Sequence, residues 1–220
     1  MAGSERDARD EGVRLADEIR ALLVDLHALA PDAEALSDAA DAVSAARASL
    51  GERQRRRWYE VPADEIDDEA EVRLRREHRD HSLFRGDRNP LAPPLTVTTG
   101  ELDDGTPVVV GEVRVDRGRE GPPGRIHGGY VAGLFDDILS GTLGLVDAGP
   151  AFTARLQVRY RRPTPIDADL RLEAWIDRQS GRRIVARARC LVDGVVTAEA
   201  EALFVAVTHD IEREQAGGGG

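Results

Sequence analysis

Lysine is absent from this chain. All 30 basic residues are arginine, a usage that genomic base composition accounts for, so a single arginine says little about phosphate recognition. Cysteine is nearly absent too. The one thiol, Cys190, rules out an internal disulfide, and in the strand-like stretch RIVARARCLVDG it reads as a small buried apolar residue. Positive charge is outweighed: 41 acidic residues leave a net charge of −11 and a pI of about 5.0, which excludes nonspecific nucleic-acid binding. No apolar run approaches the ~20 residues of a membrane span. The opening MAGSERDARDEG is charged and lacks the apolar core of a signal peptide, so the expectation is a soluble, cytoplasmic protein. Aromatics make up only 4% of the residues, and no strongly aromatic cavity is evident.

What is present divides the 220 residues into four parts. Within 1–57, Leu15, Ile19, Leu22, Leu26 and Leu29 form one helical stripe, interrupted at Pro31. A weaker pattern with Leu36, Val43 and Leu50 follows, so the spacing predicts a helical hairpin. Neither helix can bury its stripe alone; the pair must dock on the main domain or on a partner chain. Residues 58–93 carry blocks of alternating charge and read as a solvated linker with room for one short helix. Residues 94–208 change texture to strands, and 209–220 form a tail ending in four glycines.

In the third part, LTVTTGEL and TPVVVGEVRVDR flank the turn signal DDG. A Gly/Pro loop and one long helix follow, then four alternating runs joined by PTPID, QSG and DG. The order β-β-α-β-β-β-β predicts an α+β domain, a mostly antiparallel sheet with one face covering the helix. In RLQVRYRR, Leu156, Val158 and Tyr160 alternate with Arg155, Gln157, Arg159 and Arg161.

The helix in GRIHGGYVAGLFDDILSG has two faces. Val131, Phe135, Ile138, Thr142 and Leu145 share the sheet-facing side. Gly129, Gly133, Asp136, Ser140 and Gly144 form a small-residue stripe with one carboxylate in its middle; Asp137 points further round. Small residues admit a second backbone or a thin ligand. The helix mouth at His127, Gly128 and Gly129 offers free amides and a positive dipole end to a developing oxyanion. Asp136 lies about 12 Å along the axis from Gly128 at ~1.5 Å per residue, so one helix cannot bring its own Asp to its own mouth. Two antiparallel helices in a dimer can. The competing explanation is a helix-packing stripe, with His127 anchoring the loop and Asp136 facing solvent.

Residues 94–208 resemble the hotdog-fold thioesterases of the 4-hydroxybenzoyl-CoA thioesterase superfamily, in particular the PaaI-like branch. The resemblance rests on GPPGRIHGG, Asp136 nine residues after His127, FTARLQVRYRRPTP and the ending GVVTAEAEALFVAV. It implies hydrolysis of acyl-CoA thioesters by a homo-oligomer, a dimer or a dimer of dimers, with no cofactor. It implies that the Gly128 amide binds the thioester carbonyl. The partner subunit's carboxylate at the Asp136 position activates water or attacks directly. Thr153 positions the water or carboxylate, and His127 shapes the loop. Some relatives carry Asn six residues before the His; Gly121 stands there instead. Gly129, Gly133 and Ser140 are candidate substrate contacts, and Arg159, Arg161 and Arg162 are candidates for CoA phosphates, although the outward face of a strand explains them equally well.

No metal cluster is evident. His78 and His81 lie in the charged linker and read as surface residues. A hydratase or dehydratase is a poor fit. In RGDRNPLAPP, Asp87, Asn89 and Pro90 echo a hydratase pattern, but Ala92 occupies the place of its His, and the helix has Gly141 where a dehydratase would need Glu. The remaining alternative is a non-catalytic hotdog module that binds acyl thioesters.

Overall fold

A computed structural model describes residues 2–52, 54–55, 61, 67–146 and 150–207. The whole of the expected tail and much of the start of the expected linker lie outside these residues. Six strands form one antiparallel sheet: β1 (Thr96–Glu101), β2 (Pro107–Arg114), β3 (Ala151–Tyr160), β4 (Asp169–Ser180), β5 (Arg183–Val192) and β6 (Val195–Ala206). Their spatial order is β1-β2-β4-β5-β6-β3, so β1 and β3 are the edges. Four helices accompany them: α1 (Ala2–Ala28), α2 (Ala33–Ser49), α3 (Asp68–Asp80) and α4 (Gly128–Gly141). The β5–β6 hairpin turns on Asp193 and Gly194, whose φ values of 49° and 75° suit the tight primed turn that DG favours.

Helix α4 lies across one face of the sheet, as expected. Val131, Leu134, Phe135, Ile138 and Leu139 are buried against Leu172, Ala174, Ile184, Ala186, Ala200, Ala202 and Phe204. The sheet residues beneath the helix are mostly alanines, so the bulky side chains of α4 fill the space and the two layers sit close. Gly111 shows how close: a Cβ there would lie 3.0 Å from Ile138 Cδ1. The other sheet face carries an ionic lattice. Glu173 sits between Arg171 and Arg189, at 2.8 and 2.7 Å. Burial pushes its carboxyl up, but the two guanidinium groups together hold it below the ordinary range.

The two expected helices form, and Asp32 caps α2 by accepting from the Ala35 amide at 2.9 Å. Their docking differs from expectation. Helix α1 buries Ala16 and half-buries Arg9, Gly12 and Arg20 beside it; of the leucine stripe, Ile19 and Leu22 are half-buried while Leu15, Leu26 and Leu29 stay exposed, and α2 buries none of its residues. Polar side chains decide the orientation. Arg20 donates to the carbonyls of Gly86, Asp87, Asn89 and Ala92 at 3.1, 2.8, 2.9 and 3.0 Å, and Arg9 grips the buried Asp80 through two bonds.

The stretch from 80 to 95 is therefore not a solvated connector. It folds into a tight strap: Ala92 and Leu95 are buried, Asn89 donates to the His81 and Ser82 carbonyls, and the His81 Nε2 is itself buried. The Asp-x-Asn-Pro turn thus serves to receive Arg20. Replacing Arg20 with Ala strips four carbonyls of a charged donor. The expected loss is about 2–3 kcal/mol in urea unfolding, with faster amide exchange in α1.

Candidate active site

The mouth of α4 is held from below by buried polar contacts. Thr197 is an extra residue in β6: Cys190 pairs with Ala198 and Leu191 with Val196, leaving Thr197 unpaired. Its carbonyl accepts from the Arg161 and Arg162 amides at 2.8 and 2.9 Å, and its hydroxyl meets that of Thr164 at 3.1 Å. The Thr164 carbonyl accepts from the Ile126 amide, and His127 donates its amide to the Arg119 carbonyl, each at 2.9 Å. This ladder fixes the residues on which the helix begins.

His127 is the N-cap. Its Nδ1 accepts from the Gly129 amide at 3.0 Å, so the neutral ring carries its proton on Nε2. The Gly129 amide is thereby occupied. The Gly128 amide has no hydrogen-bond partner among the described residues. Tyr160 donates its hydroxyl to the Gly128 carbonyl at 2.7 Å, tying the first residue of the helix to the end of β3. A cavity of about 430 Å³ opens here, walled by Ile126, Gly128, Val131 and Tyr160 and edged by Arg125 and Arg162.

Asp136 stands exposed two turns further on, and Thr153 donates its hydroxyl to it at 3.1 Å. Strict alternation would put Thr153 with Arg155 on the far side of the sheet. A bulge prevents this. Thr153 pairs with Phe204 while Arg155 pairs with Leu203, so Ala154 is extra and the strand is rephased. Thr153 then shares the helix-facing side with Phe204, and Phe152 is turned outward and exposed.

The other candidates divide. Arg161 and Arg162 edge the cavity at Gly128, but Arg161 is paired with Glu199 at 2.6 Å. Arg159 lies on the opposite sheet face, in a separate cavity with Arg187, Arg189 and Trp175. Ser140 is exposed and donates to the Asp137 carbonyl at 2.7 Å. Gly133 is not open to a ligand: Phe84 from the strap lies on it, and a Cβ would fall 2.5 Å from the ring's Cζ. Tyr130 holds that ring in place at 5.7 Å between centroids. Gly133→Ala is therefore expected to lower stability in urea by about 1 kcal/mol despite the better helix propensity of alanine. Adding Phe84→Leu should recover it.

Sequence reasoning missed Phe84, Arg85, Arg125 and the hydroxyl of Tyr160. Tyr160 had a signal, its inward parity at the end of a strand that runs to the helix mouth. Arg85 had none, because its partner Asp137 is 52 residues away. Among the described residues no group of three or more His, Cys, Asp or Glu side chains is placed to hold a metal ion. None of the helices among the described residues is long and apolar enough to cross a membrane.

Residues 123–204 match the family model described as Thioesterase superfamily. A crystal structure of a thioesterase superfamily protein superposes with a TM-score of 0.66 at 28% identity, covering 88% of this chain and 94% of that one. The sheet and its one long helix have the hotdog fold of thioesterase superfamily proteins, and residues 123–204 are similar to that family. More particularly, the chain is similar to acyl-coenzyme A thioesterase THEM4 of Xenopus laevis, 32% identical over 88 residues that cover 39% of each chain. The Bos taurus protein of that name is 28% identical over 88 residues, 39% of this chain and 35% of that one. The match thus spans about two-fifths or less of these relatives' length.

Proposed function

We propose that the protein hydrolyses acyl-CoA thioesters to a carboxylic acid and free thiol, in a site shared between two copies of the chain. The observation that carries this reading is the Thr153–Asp136 hydrogen bond, made possible by the bulge at Ala154. It aims a free carboxylate away from the sheet core, beside a hydroxyl that can steer it or a water. The unpartnered Gly128 amide lies about 12 Å away along the same helix at ~1.5 Å per residue, too far for one chain to use both. An antiparallel pairing of α4 with its copy sets the Gly128 of one chain beside the Asp136 and Thr153 of the other.

In that site the Gly128 amide holds the thioester carbonyl oxygen and the negative charge that develops on it. Asp136 takes a proton from water as the water oxygen attacks the carbonyl carbon. The C–S bond then breaks, the sulfur leaves as thiolate, and the proton passes to it. A thioester is activated enough for this without a stronger nucleophile. Arg125 and Arg162 at the mouth of the cavity offer charge to the phosphates of the thiol carrier. The HGG–Asp spacing supports the PaaI-like branch within the superfamily. The test is thiol release from short, long and aryl acyl-CoAs by wild type and Asp136→Ala side by side. Turnover that vanishes in the variant supports the reading; tight acyl-CoA binding without turnover by wild type replaces it with the non-catalytic module.

A further inference from the structure

Helix α4 carries two adjacent carboxylates, and the fold treats them oppositely. Asp136 is exposed and meets only a hydroxyl. Asp137 is tucked under the strap, where its side chain is 16% exposed. Arg85 donates Nε to the Asp137 carboxylate at 2.5 Å and Nη2 to the Asp137 carbonyl at 2.7 Å. Gly141, one turn on, leaves room for this guanidinium: a Cβ there would lie 3.2 Å from Nη2. Arg85 does not move freely, because Phe84 beside it is seated on Gly133 and the strap is gripped by Arg9 and Arg20 of α1.

We propose that Arg85 is a positioning residue for thioester hydrolysis: by neutralising Asp137 and pinning its carbonyl, it leaves Asp136 as the single free carboxylate that α4 presents to the thioester. The inference rests on the reading above. The chemistry demands such a device. A second uncompensated carboxylate would repel the oxyanion that forms during attack, and two adjacent free carboxylates each disfavour ionisation of the other. The charged groups acting on Asp137 among the described residues are Arg85 from the strap and Asp136 from its own helix. Burial pushes the Asp137 carboxyl up and Asp136 adds to that push; the Arg85 charge opposes both without cancelling them, so the group stays above the ordinary carboxylate range. Through the strap, the N-terminal helix α1 is tied to the residue next to the catalytic one, which gives that extension a part in the site.

The experiment is a charge cycle read by the pH dependence of kcat on full-length protein. Arg85→Gln should move the acidic limb to higher pH by about one unit, the scale of one nearby charge at the effective dielectric of a protein surface. Asp137→Asn should move it the other way, and the double variant should return near the wild type. Arg85→Lys restores the charge without the fork, so the limb should return while kcat stays reduced. A merely structural pair gives no opposite signs. Limbs that stay in place, or that move the same way in both single variants, overturn the proposal. The carboxyl carbon resonance of Asp136, followed through the same pH range, makes the comparison without turnover. If it moves with opposite signs in a protein that hydrolyses no acyl-CoA, the thioesterase reading fails and the charge assignment stands. If it stays still, the assignment fails.

Discussion

Asp136→Ala is expected to remain folded and assembled, and to release thiol from acyl-CoA about 10³-fold more slowly than the wild type, the scale of removing a positioned general base. The asymmetry between activity and stability follows from the surroundings of this residue. Asp136 is exposed and its one side-chain hydrogen bond is with Thr153, so its removal should change stability by no more than about 0.5 kcal/mol. Nothing nearby can take over its role. The neighbouring carboxylate, Asp137, is held in the grip of Arg85 further round the helix. Asp136→Asn sharpens the test. The amide oxygen still accepts from Thr153 and fills the same volume, but it cannot take a proton from water. A loss in both variants, with unchanged melting temperature and elution volume, identifies the carboxylate as the acting group. An Asn variant that keeps its activity would reduce Asp136 to a packing residue, and loss of the oligomer in the Ala variant would do the same.

The element order and the helix that carries this residue were legible in the sequence because both depend on local periodicity. Alternation gave the strands, and the 3.6-residue period set Val131, Phe135 and Ile138 against the small stripe. The side of the sheet on which Thr153 lies was not legible from alternation. One extra residue at Ala154 inverts the parity, and a bulge leaves no mark in a run such as AFTARLQ. The resemblance to known thioesterases supplied that residue where the pattern would have misplaced it. Arg159 stands apart from the Gly128 mouth, on the outward strand face that is the alternative reading of it. It shares parity with Arg161, but the strand ends at Tyr160, and beyond that point the chain turns toward the mouth of α4 while Arg159 stays on the far face. The strap was the largest miss. Its charge pattern reads as solvated, and its burial comes from carbonyls and a carboxylate that meet arginines of α1, and from its own Arg85, which meets Asp137 of α4, each more than 50 residues away. Polar pairing at that range has no period to detect. The leucine stripe of α1 shows the converse, a clear period whose face the fold covers only in part, leaving Leu15, Leu26 and Leu29 exposed, because Arg9 and Arg20 set the docking angle.

The other half of the proposed site is a backbone atom, and one substitution removes it without disturbing the helix. Gly128 is the first residue of α4, the position at which proline is best tolerated, because an N–H there has no partner within the helix. The preceding residue accepts a proline as well. His127 has φ −57° and ψ 131°, in the extended region that a following proline requires. The space also permits it, since a Cβ at 128 would lie in ordinary contact, 3.4 Å, with the Tyr160 ring. Gly128→Pro should therefore leave the melting temperature nearly unchanged. It should lower kcat about 10²–10³-fold, the range for loss of one oxyanion donor. Gly128→Ala adds the carbon but keeps the amide, and separates crowding from the loss of the donor. If the Ala variant stays within a few-fold of wild type and the Pro variant falls by two orders of magnitude or more, the amide is the acting group. Equal losses in the two would assign the effect to crowding against Tyr160. A Pro variant with full activity would move the oxyanion donor elsewhere in the loop. Combining Gly128→Pro and Asp136→Ala on separate chains adds the geometric test. Co-expressed, the two inactive chains form mixed dimers with one site bearing both lesions and one bearing neither. About half of the dimers in an equal mixture should be of this kind, so roughly a quarter of the wild-type activity should return if the site is shared between chains. If each chain holds a complete site of its own, the mixture stays inactive.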